Sequence, residues 1–166
     1  MRARVAPSCA GFAVVAALAL GCSSSATSGT YTLSFQSVQE AVAVDTVRIL
    51  VFDASASGAA SLCTDLLSRR ASKQDLPPPL AELPAKSLCD LRGGSGSFDA
   101  PFGSVAVLAI AQHAEADFAR GCSLQHLGGD SANVTIELAL AIDEPGLSVP
   151  PTPCASLAQH CAKACP

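Results

Sequence analysis

Three groups of residues in this chain have types and spacings that could do chemistry. The first is a cysteine-rich C-terminal stretch, Cys154, His160, Cys161 and Cys165, whose thiols and imidazole are the donors zinc prefers. The second is Asp53-Ala54-Ser55-Ala56-Ser57, directly after a hydrophobic run. One carboxylate and two hydroxyls at a strand end form a donor set for a hard divalent cation. The third is His113-x-Glu115-x-Asp117, which on an extended strand would set three ligating side chains on one face. Each has a plainer reading. The C-x6-C-x3-C spacing of the tail is not that of paired zinc knuckles, Asp53 to Gly58 is also turn chemistry, and residues 113–117 fit a solvated hairpin tip.

Cysteine count and context decide between the first pair of readings. The chain has 166 residues and eight cysteines. Arg2 and Arg4 precede a 12-residue apolar run, Cys9 to Leu20, which is too short to span a bilayer and has the length of a signal-peptide core. The run closes in Leu18-Ala19-Leu20-Gly21-Cys22, and Ser23, Ser24 and Ser25 follow. This resembles the lipobox of bacterial lipoproteins. The resemblance implies cleavage before Cys22, a diacylglycerol thioether on its sulfur and, with serine after the cysteine, sorting to the outer membrane. Cys9 leaves with the leader and Cys22 carries lipid. Cys63, Cys89, Cys122, Cys154, Cys161 and Cys165 remain, an even six in an oxidising compartment, so disulfides are preferred to zinc. The expected pairing joins Cys63 to Cys122 and Cys89 to one tail cysteine, and leaves the other two tail cysteines to each other.

Composition narrows function further. Hydrophobic residues make up 49% of the chain and charged residues 14%, which excludes a disordered chain. The formal charge is −4 and the basic residues are scattered, so there is no footprint for nucleic acid. Aromatic content of 4%, without tryptophan, disfavours stacking platforms for sugars or bases. The motifs of serine hydrolases, zinc proteases, phosphate loops and dinucleotide-binding folds are absent from the sequence. No cofactor is expected.

The elements that would position these residues are mostly strands. Tyr31, Leu33 and Phe35 alternate with threonine and serine. Thr46 to Phe52 is apolar and β-branched at nearly every position, which predicts a central strand buried on both faces except at Arg48. Leu62, Leu66 and Leu67 predict a short helix carrying Cys63. Residues 37–44 fit a helical turn or a strand. Pro77 to Pro84 reads as a polyproline-like surface crossing, with an edge strand at Ser87 to Leu91. Ser104 to Ala111 and Phe118 to Leu124 predict a hairpin, and Asn133 to Leu140 a further strand. The expected fold is mainly β: an antiparallel β-sandwich of about seven strands with one short helix and a cysteine-rich tail. The expected divisions are a leader (1–21), a flexible tether (22–29), the sandwich (30–145) and a Pro/Cys-rich extension (146–166).

Three further resemblances bear on function. Phe98-Asp99-Ala100-Pro101-Phe102-Gly103 before an apolar strand resembles the entry motif of prealbumin-like, carboxypeptidase regulatory-like sandwiches, which implies an accessory module without chemistry of its own. The Ala-rich, Lys-poor chain as a whole is similar to uncharacterised outer-membrane lipoproteins of myxobacteria. Asp53-x-Ser55-x-Ser57 matches the metal-adhesion motif of von Willebrand factor A domains, but strands and prolines follow Arg70 where that fold needs alternating helices and parallel strands. The expected function is therefore a membrane-anchored lipoprotein with a structural or protein-interaction role and no catalysis. The alternative is an adhesion or ligand-binding module with a divalent cation at Asp53, Ser55 and Ser57. The expected partners are the membrane, through the lipid, and a protein of the cell envelope.

Overall fold

The structure is a computed structural model and describes residues 26–55, 59–91, 93–101, 103–128 and 133–166. The leader, Cys22, Ser57 and Phe102 lie outside the described residues. No helix among the described residues is long and apolar enough to cross a membrane.

Seven strands form one mixed sheet: β1 (Ala26–Phe35), β2 (Thr46–Asp53), β3 (Ala81–Lys86), β4 (Ser95–Pro101), β5 (Gly103–His113), β6 (Ala116–Leu127) and β7 (Asn133–Leu140). Their order is β3-β2-β5-β6-β7-β1-β4. The two end strands, β3 and β4, approach one another, so the sheet curls into a nearly closed barrel. Three helices accompany it among the described residues: α1 (Val38–Ala43), α2 (Ala59–Ala71) and α3 (Leu157–Cys161).

The mainly β character agrees with the sequence. The antiparallel sandwich does not: β1 and β7 pair in parallel from Thr30↔Asn133 to Phe35↔Leu138. β6 and β7 pair directly only at Ala119↔Leu140 and Arg120↔Ala139. At Gly121 β6 passes against β7 so closely that a Cβ there would collide with the Glu137 carbonyl oxygen.

Hydrophobic pattern sorts the strands into an inner and an outer face. β7 alternates, with Val134, Ile136 and Leu138 buried inward and Thr135 and Glu137 exposed. β5 is buried on both faces for seven consecutive residues, Val105 to Ala111. Val105, Val107, Ala109 and Ala111 point into the interior with Val47, Ile49 and Val51 of β2, Tyr31 and Leu33 of β1, Phe98 of β4 and Phe118 of β6. Ala106, Leu108 and Ile110 point outward with Leu50 and Phe52 of β2, and α2 covers them through the fully buried Leu66. The β-branched run at 46–52 is thus central for the expected reason, and Arg48 reaches the edge to ion-pair Glu82.

Three local expectations are corrected. The strand beginning at Ala26 takes in the last four residues of the expected tether, which pair with β4 from Ala26↔Pro101 to Gly29↔Phe98. Gly29 makes this possible, because a Cβ there would meet the Phe98 ring at 2.5 Å. The stretch expected as a proline-rich crossing contains β3, an edge strand in which Pro84 is tolerated where the register with β2 shifts between Val47 and Ile49. The edge strand expected at residues 87–91 is instead a turn, with Ser87 Oγ accepting from the Asp90 N–H and Leu88 and Leu91 buried. Residues 38–43 are helical, because Ser37 Oγ caps the Glu40 N–H while the Glu40 carboxylate accepts from the Gln36 N–H.

Three disulfides join these parts. Cys63–Cys122 fastens α2 to β6, Cys89–Cys161 fastens the β3–β4 turn to α3, and Cys154–Cys165 closes the tail.

Candidate functional site

The densest set of charged side chains lies below the β5–β6 turn. Ala114 and Glu115 form that two-residue turn with φ of 48° and 68°. The mirror-image turn that fits a twisted hairpin demands positive φ, and glycine or asparagine usually supplies it. Two residues beyond Glu115, Asp117 lies on the face of β6 that α2 covers and is 5% exposed. Arg70, in the last turn of α2, donates to it from Nε (2.7 Å to Oδ2) and Nη2 (2.8 Å to Oδ1). Arg120, on β6 and 7% exposed, donates from Nε to Asp117 Oδ2 at 3.0 Å. Its Nη2 reaches Asp143 Oδ2 at 2.8 Å and Glu144 Oε1 at 3.4 Å, both just beyond β7. Lys73 Nζ adds an ion pair to Glu144 at 3.3 Å.

Burial works against ionisation of Asp117, but the hydrogen bonds and charges of Arg70 and Arg120 outweigh it and hold the carboxyl below the usual aspartate range. The hydrogen bond from Arg120 likewise lowers Asp143. A general acid or base working near neutrality needs a pKa near neutrality, and these carboxylates are shifted the other way. Two clefts flank the network. One, of about 180 Å³, is bordered by His113, Asp117, Phe118, Glu144 and Leu147. The other, of about 400 Å³, is bordered by Arg70, Lys73, Asp75, Glu115 and Asp117. The arrangement is an electrostatic clasp: it binds the end of α2 and the segment after β7 to the β5–β6 hairpin.

The residues singled out by sequence are distributed differently. His113, Glu115 and Asp117 do not form a ligand set, nor are all three solvated. His113 Nδ1 lies 3.3 Å from Asp45 Oδ2 and its ring meets Phe118 edge-on, Glu115 is exposed at the turn, and Asp117 faces the arginines. Asp53 ends β2, and its Oδ1 accepts the Ser55 N–H at 2.8 Å in a closed Asx turn. Hydrogen bonds from Ser55, its hydroxyl first and its N–H second, lower the Asp53 pKa. Ser57, the third member of that pattern, lies outside the described residues. The four tail donors do not converge, because Cys161 is bonded to Cys89. Cys154, His160 and Cys165 do converge, with ligand atoms within 4.8 Å of one another. His126 is exposed, and its Nδ1 lies 3.3 Å from Ser104 Oγ.

Sequence reasoning missed the clasp itself. Its only local signal is Asp117-x-x-Arg120 in the otherwise apolar first half of β6, a pair of charges at a place where burial is expected.

No family model, curated protein or solved structure matches the chain.

Proposed function

We propose that the chain is a lipid-anchored module of the bacterial cell envelope, held at the outer membrane by an acylated Cys22, with a structural or protein-interaction role and no catalysis of its own. The observation that carries this reading is the fate of the six cysteines downstream of the lipobox-like motif: all are joined in three disulfides. Such a framework persists in an oxidising compartment. The pairs bridge a surface helix, a core strand, a loop and the tail, which suits a domain that must hold its shape outside the cytoplasm.

The charged cluster supports the same reading. Its carboxylates and guanidinium groups are matched to one another, so it fastens elements together. The accessory role agrees with what the Phe98 to Gly103 resemblance implies. The partners are the membrane, through the lipid, and another envelope protein.

The test is fractionation of cells making the full-length chain or its Cys22→Ala variant. The parent is expected in the membrane fraction and the variant in the soluble extracytoplasmic fraction, because multiple acyl chains supply the stable anchoring. A Cys22→Ala variant that still sediments with membranes overturns the anchor.

A further inference from the structure

The tail holds a second chemical possibility, one that the closed disulfide hides. Cys154 Sγ lies 4.0 Å from His160 Nδ1, and the donor atoms of Cys154, His160 and Cys165 all fall within 4.8 Å. We propose that reduction of Cys154–Cys165 converts this corner into a three-ligand site for a thiolate-binding cation of the zinc class, with an open fourth position.

The scaffold around the pair is held independently of it. Cys89–Cys161 bonds the last residue of α3 to the β3–β4 turn. Leu157 packs against the inner core. Ser156 Oγ caps the Gln159 N–H, and Gln159 Oε1 accepts from the Ala155 N–H. Opening Cys154–Cys165 therefore leaves the α3 backbone, and His160 on it, in place. The pair spans 11 residues, against 59 and 72 for the others, so its loss frees the least unfolded-chain entropy.

Zinc geometry is within reach. Tetrahedral coordination with zinc–sulfur distances of about 2.3 Å sets two thiolates about 3.8 Å apart and a thiolate about 3.5 Å from an imidazole nitrogen. The Cα atoms of Cys154 and Cys165 are 4.8 Å apart, and Cys165 lies in coil beyond α3. Cys154 is buried and Cys165 partly exposed, so an incoming thiolate reaches Cys165 first.

The chemistry balances with a dithiol as the reductant. One donor thiolate attacks Cys165 Sγ, the disulfide breaks, and Cys154 leaves as a thiolate beside His160 and takes up a proton. The second donor thiol, as its thiolate, then displaces Cys165 from the mixed disulfide, and Cys165 leaves as a thiolate and takes up the second proton. Two electrons pass to the pair and the donor ends as its own disulfide. Binding of the divalent cation displaces the two thiol protons.

The test is graded reduction of the mature protein with dithiothreitol, followed by removal of the reductant and titration with cobalt(II) alone, which reports thiolate ligation by a charge-transfer band. Alkylation mapping follows each step of the reduction, and the titration is made on the species in which Cys154 and Cys165 are free. The band is expected to saturate at one cobalt per chain and to vanish on adding zinc(II). His160→Ala is an exposed change to a strong helix former, and it is expected to weaken binding at least tenfold. Cys154→Ser/Cys165→Ser is expected to abolish the band. Simultaneous loss of all three disulfides, no band in the reduced parent, binding unchanged by His160→Ala, or a band retained in the double serine variant each overturns the proposal.

Discussion

Replacing Asp117 by asparagine probes the buried clasp most sharply. The aspartate accepts three charge-assisted hydrogen bonds, two from Arg70 and one from Arg120. Asparagine keeps the shape, but its oxygen serves only one arginine well and its NH₂ group opposes the other. Orphaning a fully buried charge costs about 3–5 kcal/mol. Here the cost is smaller for two reasons. Arg70 is about one-third exposed and can turn to water, and Arg120 keeps Asp143 and Glu144. The expected loss is about 2–4 kcal/mol at pH 7, a fall in Tm of about 5–15 °C for a domain of this size. The sign of the pH dependence follows from the lowered pKa. The native carboxyl ionises more readily than the unfolded one, whose pKa is about 3.9, so its contribution is complete above about pH 5 and is lost as the pH falls below about 4. Urea melts of parent and variant between pH 7 and pH 3 should therefore show a gap that narrows on acidification. A gap under about 0.5 kcal/mol at pH 7, or one that does not change with pH, refutes the clasp, since surface substitutions stay within that range.

Other expected outcomes test the frame around it. Gly121→Ala should cost about 3 kcal/mol or more in denaturant melts, because the new methyl group meets the Glu137 carbonyl and backbone cannot yield as a side chain can. Leu66→Ala should cost about 2–5 kcal/mol by emptying the contact between α2 and the outer faces of β2 and β5, and hydrogen exchange should show α2 opening first. Glu115→Gly should instead raise stability by about 0.5–1 kcal/mol, because φ of 68° suits glycine better and the side chain it removes is exposed.

What was legible in the sequence follows physical range. β2, β5 and β7 announce themselves because their apolar runs and alternation are local consequences of burial on two faces or one. The disulfide framework was legible from an even count of cysteines downstream of the lipobox-like motif. The parallel pairing of β1 with β7 was not, since it joins segments about a hundred residues apart, and neither was the close passage of β6 by β7 at Gly121. β3 was obscured by Pro84, which reads as a break but sits on an edge strand at a register shift. α1 was legible in principle: Ser37-x-x-Glu40 is the spacing of a capping box. The clasp was not, because its cations and carboxylates come from a helix end, a strand and a loop, with Arg70 47 residues from Asp117 and Asp143 23 from Arg120. The cation reading of Asp53 was plausible by residue type, and the Asx turn to Ser55 is the plainer use the fold makes of the same residue.

Intact-mass analysis of the unreduced protein, extracted from the membranes of cells that make it and followed by peptide mapping, tests the central claim most directly. The account predicts a chain that begins at Cys22 with acyl chains attached, no free thiol among the other cysteines, and linked peptides Cys63–Cys122, Cys89–Cys161 and Cys154–Cys165. A chain that retains residues 1–21 without lipid, or one with its cysteines free, contradicts it.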